Sequence, residues 1–157
     1  MNQPFSRIVK AGLLVGTLDI FSAFIFYYSK TGKNPLAVLN YIASGIFGKE
    51  AFAGGGMMYV AGLLLHYLVA FLVTLFFFWL YPKIKPVSKN KLLTGIFYGL
   101  FTWLVMNLLV VPMSKVATRP FNWQNAWINM VILIVCIGIP LSYLASLYDQ
   151  GAKQKQV

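Results

Sequence analysis

Four long stretches of this chain carry almost no charge, and no other feature constrains the fold as much. Between Lys10 and Lys30 the only charged residue is Asp19; residues 51–82 hold no formal charge, only His66; residues 92–114 and 120–148 hold none. A helix needs about 20 apolar residues to cross a bilayer's hydrocarbon core, and all four stretches are long enough. The pattern predicts an all-α, polytopic membrane protein with a single membrane domain over residues 1–157. Its four transmembrane helices fall at about 8–28, 57–81, 92–111 and 126–147, followed by a tail at about 149–157. A cleaved signal peptide is the competing reading of the first stretch, with Arg7 and Lys10 as its basic flank. Asp19 interrupts that apolar run and no small-residue cleavage site follows promptly, which favours a retained helix.

The charges that remain are mostly basic: 13 Lys and Arg against Asp19, Glu50 and Asp149, a net charge of +10. They cluster between the apolar stretches, so anionic lipid headgroups rather than nucleic acid are the expected counter-charge. With both termini placed inside, the inner side holds Arg7, Lys10, Lys83, Lys85, Lys89, Lys91, Lys153 and Lys155. The outer side then holds Lys30, Lys33, Lys49, Lys115 and Arg119. The excess of Lys and Arg on cytoplasmic loops predicts cytoplasmic termini. Tyr27, Tyr28, Phe121, Trp123 and Trp127 then form an outer aromatic belt, and Trp79, Tyr81, Tyr143 and Tyr148 an inner one. Trp103 falls mid-span, between helices or against lipid tails. In the first outer segment, Asn34 and Pro35 read as a helix start. Leu36, Leu39, Ile42, Ala43, Ile46 and Phe47 follow at helical spacing, with Asn40, Tyr41 and Ser44 opposite. A short outer amphipathic helix over about 35–47 is expected, lying on the membrane surface or tucked over the bundle. Glycines 54–56 then lead into the second span, read as a hinge rather than a pocket mouth.

Projected at 100° per residue, each span has one small or polar stripe. Gly12, Gly16, Asp19 and Ala23 share a face of the first helix, and Gly62, His66 and Ala70 a face of the second. The third carries Gly95, Gly99, Thr102 and Met106, with Asn107 on the flank; the fourth carries Asn129, Cys136 and Pro140. Small residues let helix backbones approach closely in lipid. The helix-packing set is therefore Gly12, Gly16, Gly62, Gly95 and Gly99, and a compact bundle with inward stripes is expected. Asp19 lies near the midplane, His66 roughly three residues of rise further out, and Asn107 and Asn129 further still. This predicts an outward-facing polar cavity or a buried hydrogen-bond network in the outer half. The candidate cavity or ion-binding residues are Asp19, His66, Asn107, Asn129 and Glu50.

An ionisable residue inside the membrane is a functional-site candidate by default. The sequence leaves two readings of Asp19 and His66: a site for a proton, cation or small polar solute, or an internal fastener between helices. The fastener is either a hydrogen bond from neutral Asp19 or an imidazolium–carboxylate pair. Other chemistries lack their residues. One histidine excludes bis-histidine haem ligation within a chain, and no cysteine cluster or H-E-x-x-H motif offers a zinc site. Cys136 stands alone, so no dithiol chemistry is available. No nucleophile elbow or phosphate-binding loop is present. Ser22 follows Asp19 by one helical turn, whereas the aspartate of a triad must back the histidine away from the nucleophile, so Ser22, His66 and Asp19 do not form one. Neither a cofactor, a metal nor a catalytic residue is expected. A solute-transporting form would be a homo-oligomer, because four short spans enclose little volume; no inverted repeat is evident.

Residues 61–120 carry His66 within GLLLHYLVAF, the YPKIK exit at 81–85, Gly95 and Gly99, and the VVPMS close at 110–114. In these features the chain resembles the YagU-like bacterial inner-membrane proteins, although its first outer loop is shorter. The resemblance implies a small polytopic protein of the bacterial inner membrane and transfers no catalytic residue. From the sequence alone, truncation after Tyr148 should leave membrane insertion intact, because the AKQKQV end has no apolar face. Membrane fractionation of the truncated chain checks this; a soluble or degraded product would contradict it.

Overall fold

The computed structural model describes residues 5–84, 90–115 and 123–154. Lys85, Lys89, Lys155, Arg119 and Phe121, assigned above to the two interfaces, lie outside these. The described residues form five helices and no strand. Helix α1 is Phe5–Thr31, α2 is Ala37–Phe47 and α3 is Gly55–Ile84. Helix α4 joins Lys91–Val105 through a π-helical turn, Met106–Val110, to Val111–Met113. Helix α5 joins Trp123–Leu133 through a second π turn, Ile134–Gly138, to Ile139–Gln154. All but α2 are long and apolar enough to cross a membrane. Each outruns its expected bounds by a few residues, because helical hydrogen bonding continues past the last apolar residue.

The helix ends follow from local chemistry. Gly32, at φ 64°, closes α1 by donating its N–H to the Tyr28 carbonyl at 2.8 Å. Asn34 Oδ1 accepts the Leu36 N–H at 3.0 Å in a turn ahead of α2, but the helix itself begins only at Ala37, with Leu36 rather than Asn34 at its N-cap and no side-chain cap bond. Asn90 Oδ1 accepts the Leu92 N–H at 2.9 Å and starts α4. Both π turns stand two residues before a proline, Pro112 and Pro140. Proline lacks an N–H, and its ring clashes with the carbonyl four residues earlier. Widening the preceding turn relieves the clash without breaking the helix. The Val111 N–H accordingly reaches the Met106 carbonyl, and the Ile139 N–H reaches that of Ile134.

The stripes pair helix with helix rather than meeting at one common axis. Gly12 faces the Phe71 ring, and Gly16 faces Tyr67 and Ala70, so α1 packs on α3. Gly95 and Gly99 lie against Gly138, Ile139 and Ile134, so α4 packs on α5. Helix α4 reaches α3 through the Tyr98 hydroxyl, which donates to the Val73 carbonyl at 2.6 Å, and through the Phe76–Phe101 stack at 5.7 Å. A wholly apolar cavity of about 310 Å³ remains between them, lined by Val69, Phe76, Phe101, Val105 and Met106 among others. Trp103 lines a second groove with Trp123 and Trp127, between α4 and α5. Helix α2 is tucked onto α3, its Leu39 carbonyl pressed against Gly62. Asn40 and Ser44 therefore do not form an exposed polar face. Ser44 is buried and donates to the Tyr41 carbonyl at 2.6 Å, and Asn40 Oδ1 is buried without a partner. The Lys115 N–H, past the end of α4, donates to the Gly45 carbonyl at 2.9 Å and holds α2 down.

The packed core of Ala11, Val15, Phe77, Tyr98, Ile137 and Leu141 lies toward the end where α1 begins and α5 finishes. Arg7 completes that end: its Nη1 donates to the Tyr148 carbonyl at 3.0 Å, with the guanidinium 5.1 Å from the Tyr148 ring centroid. At the opposite end, no described residue of Trp123–Leu133 is buried. Gly138→Leu should lower stability by about 1–3 kcal/mol or more, because a side chain there strikes the Gly95 backbone. Gly56→Ala, whose side chain meets nothing, is the control. Thermal unfolding in detergent reads both; equal midpoints would refute the backbone contact.

Candidate functional site

Helix α1 buries Ala11, Gly12, Val15, Gly16 and Ile20 and exposes Leu13, Leu14, Leu18, Phe21 and Ile25. At 100° per residue, Asp19 falls in the middle of the buried arc. It nevertheless remains partly exposed, as do Ser22 and Ala23 further along the same side. The reason is depth. The packed core lies on the side of Asp19 where α1 begins, and toward the other end no described residue of Trp123–Leu133 in α5 is buried.

His66 stands on the facing side of α3, also partly exposed. Its Nε2 lies 2.8 Å from the Gly16 carbonyl. A carbonyl can only accept, so Nε2 carries the proton, and in the neutral ring Nδ1 is left as an acceptor. One residue along on each helix, the Thr17 and Tyr67 hydroxyls share a hydrogen bond of 2.8 Å. Glycine at 16 makes both contacts reachable, since a Cβ there would crowd Tyr67 and Ala70.

Asp19 lies within electrostatic reach of His66. Among the described residues its carboxyl group has no hydrogen-bond partner. The hydrogen bond of His66 thus goes to the α1 backbone and not to Asp19, so the direct Asp–His bond considered from the sequence is not formed. On the other flank of α1, Ser22 Oγ and Cys136 Sγ are 3.1 Å apart, which ties α1 to the π turn of α5. Asp19 is therefore framed by two fastened contacts and is itself unfastened.

The other sequence candidates are dispersed. Asn107 donates its side-chain amide to the Trp103 carbonyl in its own helix at 2.9 Å, across the π turn of α4. Asn129 is exposed on α5, seven residues before Cys136, two turns along the same side. Glu50 is exposed in a 3-10 turn, Gly48–Phe52, beyond α2. Among the described residues, no three His, Cys, Asp or Glu side chains converge. Sequence reasoning missed the π turns and the buried amide of Asn40. The two prolines, each deep inside an apolar run, were the available signal for the turns. Nothing local signals the Asn40 burial, which depends on where α2 docks.

The chain matches no family model, no curated protein and no solved structure. Its chemistry is therefore read from its own residues. His66→Phe and Tyr67→Phe should each lower stability by about 0.5–1.5 kcal/mol through the lost contact to α1. Guided unfolding in detergent measures this; wild-type midpoints in both variants would show that neither bond fastens the helices.

Proposed function

We propose that this integral membrane protein binds a proton, a cation or a small polar solute at Asp19 and His66, entering from the α2 end. The observation that carries the reading is the mid-span carboxyl group of Asp19. It sits at the centre of a buried helix face, is partly exposed, and has no hydrogen-bond partner among the described residues. An aspartate at the centre of a span costs about 2.5–3.5 kcal/mol on insertion scales. A purely structural aspartate would be expected to offset that with bonds to its neighbours. His66, held by the Gly16 carbonyl, supplies a fixed ionisable partner. With cytoplasmic termini, as the basic clusters suggest, the α2 end faces outward; the YagU-like features favour a bacterial inner membrane. Binding is the first claim, and transport would require an oligomer or a larger movement.

The second reading is an accessory or structural membrane subunit. It is favoured by the fastening of α1 to α3 through His66–Gly16 and Thr17–Tyr67. Water access separates the two. Ala23 lies one turn toward the α2 end from Asp19, on the same face. In a Cys136→Ser background, Ala23→Cys should react rapidly with a membrane-impermeant thiol reagent added at the α2 side, with Lys33→Cys as the exposed control. Protection of Ala23→Cys in a folded protein whose control reacts would overturn the binding reading in favour of the structural one.

A further inference from the structure

The binding reading leaves the ligand open between proton, cation and solute, and the π turn of α5 narrows it. Residue 140 is proline, so the N–H that would serve the carbonyl of Val135 or Cys136 is missing. The turn before it is already spent: the Ile139 N–H goes back to the Ile134 carbonyl. With the Ile139 N–H committed to Ile134 and no N–H at Pro140, at least one carbonyl of residues 135–137 loses its helical donor. In hydrocarbon an unmet carbonyl costs several kcal/mol, and non-helical backbone is tolerated where it lines a cavity.

Those carbonyls belong to the stretch of α5 that α1 touches one turn beyond Asp19. Ser22 touches Cys136, and α1 runs antiparallel to α5. Asp19 stands three residues back from Ser22, which displaces it by roughly 4.5 Å toward the end where α5 finishes. Helix carbonyls point toward their own C-terminus, so those of the Cys136–Pro140 turn are directed to the same level. The Asp19 carboxylate, the Ser22 hydroxyl and a carbonyl of the Pro140 turn thus fall at one level where α1 and α5 touch, on the partly exposed side of α1. All are hard oxygen ligands, the set that suits a hard cation rather than a soft metal. A single carboxylate balances one positive charge. Broken helices supply sodium ligands in this way in other membrane folds.

We infer that Asp19, Ser22 Oγ and the backbone carbonyl freed by Pro140 form a site for a sodium-sized monovalent cation, with water from the open half completing its shell. This rests on the binding reading above and specifies its ligand. The test uses the full chain in detergent, unfolded thermally in sodium chloride against choline chloride at equal ionic strength. A ligand that binds only the folded state raises the midpoint with concentration. Sodium should raise it by a few degrees and choline should not. Asp19→Asn should abolish the difference and Ser22→Ala should reduce it. Pro140→Ala is the decisive variant. It restores an N–H to the turn, so the helix should be at least as stable while the sodium effect is lost. A sodium effect equal to that of choline, or one that survives in Asp19→Asn or Pro140→Ala, would overturn the inference. Labelling of Ala23→Cys identifies which claim has failed. Reactive Ala23→Cys without a sodium effect removes the cation and leaves a proton or solute site; protected Ala23→Cys removes both.

Discussion

A backbone N–H or carbonyl in hydrocarbon has no water to bond, so each must find its partner within the protein. This requirement explains more of the structure than any single contact. It makes the long apolar stretches helical. It also turns hydroxyl side chains back onto their own helices: Thr74 donates to the Ala70 carbonyl at 2.8 Å and Thr102 to the Tyr98 carbonyl at 2.9 Å. Elsewhere the same groups join helices, as when Ser142 donates to the Lys91 carbonyl at 2.7 Å. Pro112 and Pro140 violate the rule by removing a donor, and the π turns are the local answer. Asp19 violates it by adding an acceptor with no donor. Ser22, one turn along α1 from Asp19, touches Cys136 in the Pro140 turn, so both exceptions fall in one region of the molecule.

Lipid tails are as apolar as leucine, so burial of leucine against leucine gives little net drive between helices. Close backbone approach replaces it. Gly95 and Gly99 meet Gly138 where the π turn has displaced the α5 backbone, and the proline-induced irregularity is thus part of the interface. Gly62 does the same for α2, which explains why a helix with an apolar stripe leaves the membrane surface and docks on α3. Polar contacts at α1 depend in turn on Gly16, since His66 can reach a backbone carbonyl only where no side chain covers it.

Much of this was legible in the sequence. The four spans follow from uncharged length alone, and the small-residue stripes mark the faces that touch. The turn at Asn34–Pro35 that precedes α2 and the inward phase of Asp19 are both local signals, carried by side-chain-to-backbone bonding and helical period. What was not legible is which stripe meets which. A glycine face tells that a neighbour comes close without naming the neighbour, so an inward-facing bundle and two glycine-paired contacts look alike in one dimension. Asn107 shows the limit well. Its place on the flank of the third stripe suggested a cavity residue, yet its amide turns back to the Trp103 carbonyl of its own helix from within the π turn.

The two ends of the bundle are held differently, and the difference bears on how a midplane site is reached. Where α1 begins, Arg7 bonds the Tyr148 carbonyl at the far end of α5, and the Lys83 ammonium lies 3.5 Å from the Trp79 ring centroid. Such contacts place cations over aromatic rings at this end of the bundle, and the aromatic core of Phe77, Phe78 and Tyr98 lies just inside. That end is closed by packing from several helices at once. At the α2 end, no described residue of α5 over Trp123–Leu133 is buried, and α2 is fastened to α3 and to the end of α4. A ligand at Asp19 would therefore meet a packed wall on one side and partly exposed side chains on the other. One-sided access needs no moving gate to be directional, because the closed side is the hydrophobic core itself.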